Sequence, residues 1–253
     1  MKPGAILLLL LTIMPQALYA QTNGLTLAQQ SAVLQLVHAA KTGNKQQIAS
    51  RVAYPLKRIY PLGDIKNKAA MLDRFDVVFD GKLLKPLARS GAGDWTAMGW
   101  RGAMLGNGVL WMDDAGNITA VNHQSEKEKR LLENAIREDR QQLPPSLRSF
   151  DKPLYSIITN HYRIRIDESA GDQLRYASWG LQRGKKEPDL VLYNGVYEAQ
   201  GSGGNHTISF TNDVYRYVVA VNRLGSSETP EVLLTVYKNE KILLNDAGKI
   251  IRH

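Results

Sequence analysis

The C-terminal part of the chain is a series of short alternating or apolar runs separated by turns, and no other feature limits the fold so strongly. In the clearest run, Tyr162, Ile164 and Ile166 alternate with polar side chains, which is the two-residue period of a strand with one buried face. The further predicted strands are residues 174–179, 190–198, 207–211, 215–221, 233–237, 241–244 and 249–252. Such a series of short strands joined by turns predicts an antiparallel β-barrel or β-sandwich for residues 153–253.

The preceding part of the chain mixes helix and strand patterns. Thr26 and Gln29 form a capping box at the start of a first helix. Apolar residues at helical spacing then predict its buried stripe, which consists of Leu27, Val33, Leu34, Leu36, Val37 and Ala40. Asn44 is predicted to start a second, short helix, and Asn67 a third helix that ends at Asp80.

A domain boundary is predicted after a charged helix at residues 125–142. Pro144 and Pro145 cannot continue that helix, and they bias the residue before them towards extended geometry. The predicted fold class is therefore α+β, with two domains. The expected divisions are a signal peptide at 1–20, an α+β domain ending in the connector helix at 21–143, a linker at 144–152 and the antiparallel β domain at 153–253.

Strands are also predicted at residues 96–104, 109–112 and 117–122, with Asn107-Gly108 as a hairpin turn. The element order of residues 25–123, with Tyr54-Pro55-Leu56 entering a strand and Ile65-Lys66-Asn67-Lys68 before a helix, resembles the nuclear-transport-factor-two-like (SnoaL-like) cone fold. The helix at 125–142 departs from that pattern. The resemblance implies a curved sheet with a pocket against helices, and it implies no specific chemistry, because such folds serve enzymes, binding proteins and adaptors.

The second half is similar in strand count and size to small periplasmic lysozyme-inhibitor barrels, although it lacks the cysteines common in them. The chain contains no cysteine, which excludes thiol chemistry and cysteine-ligated zinc. Its domains are therefore expected to be stable by packing alone, without disulfides.

The N-terminus has the order of a secretory signal. Lys2 precedes an apolar run at residues 5–14, and Ala20 provides a small residue before the expected cleavage site at Gln21. The style of this signal and the missing cysteines predict a periplasmic protein, and no second apolar run approaches a transmembrane span. The formal net charge of +8 favours anionic partners such as peptidoglycan carboxylates, whereas export argues against nucleic acid.

Two clusters near turns are candidate binding residues. Trp100 and Arg101 lie between Gly99 and Gly102, and an aromatic residue beside arginine is typical of binding hot spots and also of cores. The glycines would allow another backbone to approach closely. The second cluster is a loop in which backbone N–H groups would grip a carboxylate or phosphate, and it consists of Gly203, Gly204, Asn205 and His206.

A third candidate is a basic, aromatic face of the β domain. Arg163 and Arg165 share one strand face, and Trp179 ends a strand rich in recognition-type side chains. The alternative for this face is a solvated sheet surface with one packed tryptophan.

Catalytic and metal-binding patterns are weak in this sequence. The histidines form no H-x-x-H or H-E-x-x-H pair, and no G-x-S-x-G element is present, so neither a metal, a cofactor nor a catalytic residue is predicted. Asp113 or Asp114 with His123 is the alternative, as an acid–base pair in a cone-fold enzyme for hydrolysis or isomerisation of a small ligand.

The expected function is therefore that of a non-enzymatic periplasmic binding protein. It would dock an envelope protein partner as an inhibitor or immunity protein, an expectation that rests on analogy between binding scaffolds. The alternatives are the cone-pocket enzyme and a peptidoglycan- or carbohydrate-binding module.

Overall fold

The computed structural model describes residues 24–181, 186–201, 203–226 and 228–251. The predicted signal peptide and its cleavage after Ala20 lie outside these residues. The helices are α1 Leu27–Lys41, α2 Lys45–Ser50, α3 Lys68–Asp73, α4 Phe75–Val78, α5 Gly81–Arg89 and α6 Glu126–Gln142, with short 3₁₀ turns at Ala92–Asp94, Gly99–Arg101 and Pro145–Leu147. The predicted α+β class is confirmed.

The strands form two separate antiparallel arrangements. The first is a four-stranded meander in the order β1-β2-β3-β4, and the second is a closed barrel of eight strands. The strands are β1 Trp95–Ala97, β2 Ala103–Leu105, β3 Leu110–Met112, β4 Ile118–Val121, β5 Lys152–Thr159, β6 Tyr162–Ser169, β7 Gln173–Gly180, β8 Leu190–Gln200, β9 Asn205–Asn212, β10 Tyr215–Val221, β11 Val232–Lys238 and β12 Lys241–Ile250.

Helix α1 begins as predicted, because Thr26 and Gln29 form both hydrogen bonds of the capping box. The predicted stripe was wrong at Leu27 and Leu34, which are exposed. The buried face is instead built on residues such as Ala32 and Leu36, which pack into the core of the N-terminal half. Tertiary packing therefore decides which part of a broad apolar helix surface is covered.

The predicted third helix is divided in the structure. Met71 lies on α3, and Phe75 lies on α4, after a break at Arg74. Asp80, predicted to end the helix, instead caps α5 by accepting hydrogen bonds from the N–H groups of Lys82 and Leu83. The short strands of the meander pack with these helices around a shared apolar core. The resemblance to the cone fold stays a prediction.

The β domain is a barrel and not a sandwich, because β12 pairs with β5 and closes the sheet. Ile164 and Ile166 point into the barrel as the alternation predicted, and both are fully buried. Phe210 and Tyr176 fill the interior beside them, with ring centroids 5.5 Å apart. An eight-stranded barrel is just wide enough for side chains to fill it, and this one follows that rule.

Helix α6 braces the two halves against each other. Near its start, Glu128 accepts hydrogen bonds from Arg58, one of them from Nε at 2.7 Å, and the same guanidinium donates to the carbonyl oxygen of Val121. Near its end, Asp139 accepts two hydrogen bonds from Arg165 on β6, at 3.0 and 2.6 Å. The segment expected to be a linker is packed, because Leu147 and Phe150 are buried.

A buried carboxylate on β12 accepts hydrogen bonds from the turn between β5 and β6. Asp246 on β12 is fully buried, and it accepts hydrogen bonds from the backbone N–H groups of Asn160 at 3.2 Å and His161 at 3.1 Å. Burial alone would raise the pKa of Asp246, but the hydrogen bonds from Thr159 and His161 outweigh it and hold the pKa below its usual range. The charged form therefore stabilises the folded barrel.

We expect Asp246→Asn to destabilise the protein at pH 7, and the difference from the natural protein to shrink in acid. A carboxyl with a lowered folded pKa contributes stability above its unfolded pKa of about 3.9, and the contribution is lost as the pH falls through the folded pKa. Urea unfolding at neutral and acidic pH measures the difference. Asp213→Asn, at an exposed turn, is the control. An equal difference at both pH values would contradict this assignment.

Candidate binding groove

A groove runs between the four-stranded meander and one end of the barrel. It comprises two cavities, the tryptophan pocket of ≈ 1120 Å³ around Trp100 and the barrel-mouth pocket of ≈ 820 Å³ around Tyr197. The residues that line both cavities are Lys57, Thr119, Ala120, Asn122 and Arg223. The groove thus exists only because the two halves of the chain are packed together.

Trp100 and Arg101 form the meander side of the tryptophan pocket. They lie on the 3₁₀ turn Gly99–Arg101, which interrupts the single strand predicted for residues 96–104. Trp100 is 66% exposed, whereas the guanidinium of Arg101 lies 5.6 Å from the ring centroid of Trp111. Trp111 is itself fixed, since its indole N–H donates to the carbonyl oxygen of Gly108 at 3.0 Å.

The barrel side of the pocket is formed by two loops. Gly203 and Gly204 line it, together with Arg223 and Leu224 of the loop after β10. A Cβ atom on Gly203 would lie 2.5 Å from Leu224 Cδ1 and 3.4 Å from Trp100 Cη2, so the tryptophan ring closely approaches this loop. The sequence-predicted residues of the two turn clusters are therefore brought together across the groove.

Asn205 supports the loop, and it is not among the residues that line the tryptophan pocket. Its side-chain oxygen accepts hydrogen bonds from the N–H groups of Arg223 at 2.7 Å and Leu224 at 2.9 Å. Its amide group also donates to the carbonyl oxygen of Leu224 at 2.8 Å. Of the residues predicted to form the backbone nest, Gly203 and Gly204 therefore remain able to contact a ligand in this pocket, whereas Asn205 does not line it.

His206 is buried beneath this loop. Its Nδ1 lies 2.9 Å from the carbonyl oxygen of Gly204, and its Nε2 lies 2.9 Å from the hydroxyl of Tyr155. Tyr197 stacks on it with a centroid distance of 4.9 Å. Burial lowers the pKa of His206, which favours the neutral ring. Instead of an exposed donor for an anion, the structure shows a packed ring between two tyrosines.

The third candidate group lies elsewhere, on the outer face of β6 and β7. Arg163 stacks over the ring of Trp179 at 4.4 Å, and the indole N–H of Trp179 donates to the carbonyl oxygen of Lys186 at 3.2 Å. Arg165 is buried in ion pairs with Asp139 and Asp167. Arg163, Arg165 and Trp179 line a cavity of ≈ 650 Å³ beside α6. Because Arg165 is buried, it is not part of an exposed basic face.

The acid–base pair considered for an enzyme is not assembled. His123 Nε2 lies 2.8 Å from Asp80 at the start of α5, whereas Asp113 accepts hydrogen bonds from Asn117 and Asp114 accepts one from the side chain of Gln29. Asp113 and Asp114 therefore stabilise the turn after β3, as aspartates commonly do in turns. The geometry does not bring either of them to His123.

Sequence reasoning missed Arg223 and Leu224. Both follow the last residue of β10 and contribute to the groove only through the fold. The sequence could have indicated these residues only by their position between a strand and the turn at Gly225-Ser226. A turn position alone does not distinguish a binding residue from a solvent-exposed one.

No protein-family model, curated protein or solved structure matches this chain. Within the part of the chain that the structure describes, no group of three or more histidine, aspartate and glutamate side chains is placed to hold a metal ion. None of the described helices has the length and apolar character to cross a membrane.

Proposed function

We propose that this chain is an exported, non-enzymatic binding protein that docks an envelope protein in the tryptophan pocket, in an inhibitor or immunity-type role. The observation that carries the proposal is the exposure of Trp100, which is 66% accessible on a turn held against the barrel loop. Tryptophan and arginine are enriched among residues that dominate binding energy. An exposed tryptophan beside the exposed Leu224 is the kind of apolar surface that marks a protein interaction site.

The charges around the pocket indicate the chemistry of the partner. Among the described residues, neither Arg101 nor Arg223 makes an ion pair, whereas Asp113 and Asp114 already accept hydrogen bonds from within the N-terminal half. A projecting partner loop with an apolar tip and acidic flanks would complement this surface. Its apolar side chain would pack on the exposed surface of Trp100 and Leu224, and its carboxylates would face the arginines.

We expect Trp100→Ala to weaken partner binding by about thirtyfold or more, because truncation of a hot-spot residue costs roughly 2 kcal/mol or more. Folding should be nearly unaffected, since exposed substitutions usually change stability by less than about 0.5 kcal/mol. The partner is purified from envelope extract, identified by mass spectrometry and titrated by calorimetry. Tyr193→Ala, at an exposed tyrosine of β8, is the matched control.

Two results would contradict the proposal. One is an equal loss of affinity in the Trp100 and Tyr193 variants. The other is that the natural protein binds isolated peptidoglycan while no protein partner is recovered from envelope extract. Arg101→Ala should weaken binding in a salt-dependent way, because exposed charge pairs are screened over about 8–10 Å at physiological ionic strength.

The stoichiometry of action separates an inhibitor from an enzyme. A binding protein should protect its target in proportion to its own concentration and saturate at a simple molar ratio. Full protection by substoichiometric protein over time, abolished by His123→Ala, would overturn the proposal in favour of catalysis.

A further inference from the structure

We propose that the barrel-mouth pocket is a second binding site, which takes a small amphipathic ligand with an apolar body and one anionic head group. The site goes beyond the proposed docking of a protein partner. Arg223 lines both cavities, but the apolar wall of this one is built on Tyr197 and Ile208 and not on Trp100 and Leu224. The barrel-mouth pocket lies where the barrel interior meets the N-terminal half.

The barrel is filled at its centre and open at this end. Tyr197 and Ile208 are directly opposite each other on β8 and β9, so both side chains are on the inner face of the sheet. Ile208 is 1% exposed, yet Tyr197 is 55% exposed. Interior packing therefore covers Ile208 but not Tyr197, and both residues line the cavity.

The floor and wall of the pocket suit an apolar body. Leu154, Leu174 and Ile208 line it from the barrel side. Beside them, the ring of His206 lies 5.7 Å from Tyr155 and 4.9 Å from Tyr197, as measured between centroids. Tyr155 and Tyr197 line the cavity and can offer ring faces and edges to a ligand, whereas His206 is buried behind them. Burial lowers the pKa of His206, which favours its neutral ring.

The donors of the pocket suit an anionic head group. Gln124 reaches it from the N-terminal half, and its amide nitrogen is buried without a hydrogen-bond partner. A buried donor without an acceptor is unfavourable, and rotation of the Gln124 side chain would bring this donor to an oxygen of a bound head group. Arg223 at the barrel end makes no ion pair within the described part of the chain, so its guanidinium is available to the same group.

The other charged side chains of the pocket are already compensated or exposed to solvent. Glu168 is paired with Lys152 at 2.5 Å, Lys57 is paired with Asp64 at 3.0 Å, and Asp172 lies in an exposed turn. Arg58 is paired with Glu128. Arg223 is therefore the cation of this cavity whose charge is not compensated, and a negative head group would pair with it.

The size of the pocket is also that of a small-molecule site. Its volume of ≈ 820 Å³ falls within the usual range of roughly 300–1,000 Å³ for ligand pockets, and the mouth of a β-barrel is a common position for them. A carboxylate or a phosphate would serve as the head group, so a fatty acid and a lysophospholipid share the required chemistry.

The test uses the purified full chain and a dansyl-labelled fatty acid, with its methyl ester as the uncharged probe. We expect saturable binding of the acid at one site, and binding of the ester weaker by about tenfold. Arg223→Gln should weaken binding of the acid by about tenfold and leave the affinity for the ester unchanged, because the substitution removes the charged donor. Tyr197→Ala should weaken binding of both probes, because the substitution removes part of the apolar wall.

Two variants serve as controls. Tyr193→Ala on the same strand points away from the interior and should change nothing. Trp100→Ala should leave probe binding intact, so failure of this site and failure of the partner-docking proposal are distinguishable. Arg223 and Tyr197 are exposed, and thermal melting verifies that their variants stay folded.

Competition identifies the source of the head group. Displacement of the probe by lysophosphatidic acid, by unlabelled fatty acid or by both supports the site and names the ligand class. The proposal is overturned by the absence of saturable binding, by displacement with neither competitor, or by equal affinity for acid and ester in the natural and Arg223→Gln proteins.

Discussion

Replacement of Asp167 by asparagine is expected to lower the free energy of unfolding by about 3 kcal/mol or more. Asp167 on β6 is fully buried. Its carboxylate accepts hydrogen bonds from Arg165 Nε at 3.0 Å and from Arg175 Nη2 at 2.6 Å. The substitution would leave two buried guanidinium groups without the charge that they share.

The consequence extends beyond the barrel. Arg165 also binds Asp139 of α6, and Arg175 donates to the carbonyl oxygens of Leu147 and Ser149 in the segment between α6 and β5. Phe150 packs beneath both guanidinium groups, with the Cζ of Arg165 4.9 Å from its ring centroid. One carboxylate therefore holds the helix and the connecting segment on the barrel.

Urea unfolding of the full chain measures the effect. Asp172→Asn is the matched control, because Asp172 lies at an exposed turn with φ +59°, a conformation that asparagine adopts readily. It should change stability by no more than about 0.5 kcal/mol. A loss below about 1 kcal/mol for Asp167→Asn would show that the buried network is not a stabilising contact between helix and barrel.

This network also distinguishes Arg165 from Arg163, although the sequence analysis assigned both arginines to the same exposed face. Arg163→Glu tests an exposed charge, whereas Arg165→Glu would place a third carboxylate beside Asp139 and Asp167 and is expected to unfold the protein. A charge-reversal test of the outer face of β6 and β7 therefore uses Arg163 alone.

Replacement of Gly102 by alanine is expected to destabilise the protein by about 2–5 kcal/mol and to disrupt the tryptophan pocket. Gly102 has φ +83°, and a Cβ atom there would lie 2.0 Å from the carbonyl oxygen of Met112. A backbone atom cannot rotate away as a side chain can, so β2 and β3 would have to separate. Because Gly102 follows Arg101 directly, the turn that presents Trp100 would move as well.

Gly99→Ala is the control that separates the effect of the Cβ clash at Gly102 from the effect of placing alanine at a positive φ. Gly99 also has a positive φ, of +60°, but a Cβ atom there meets nothing within 4 Å. It should therefore cost only the strain of a left-handed residue, about 1–2 kcal/mol. Equal losses for the two alanine variants in urea unfolding, with partner binding kept in both, would contradict the role assigned to Gly102.

The sequence was sufficient where the deciding interactions are local. The alternation around Ile164 and Ile166 predicted the inner face of β6, because a strand repeats every two residues whatever it pairs with. The capping box of Thr26 and the hairpin turn at Asn107-Gly108 are likewise set by neighbours in the chain. A close backbone approach was predicted for Gly99 and Gly102. The structure shows one at Gly102, against Met112 of the same chain, whereas a Cβ atom on Gly99 would meet nothing within 4 Å.

Only the tertiary structure decided which charged and aromatic side chains are accessible. Arg163 and Arg165 have the same strand face and the same charge, but Arg165 meets Asp139 of α6 and is buried. Trp100 and Gly203 are distant in the chain and meet across the groove. Periodicity depends on contacts within a few residues, whereas burial depends on partners that are distant in the chain. The barrel forms because β12 pairs with β5, and the groove forms because the ion pairs of α6 hold the N-terminal half against the barrel.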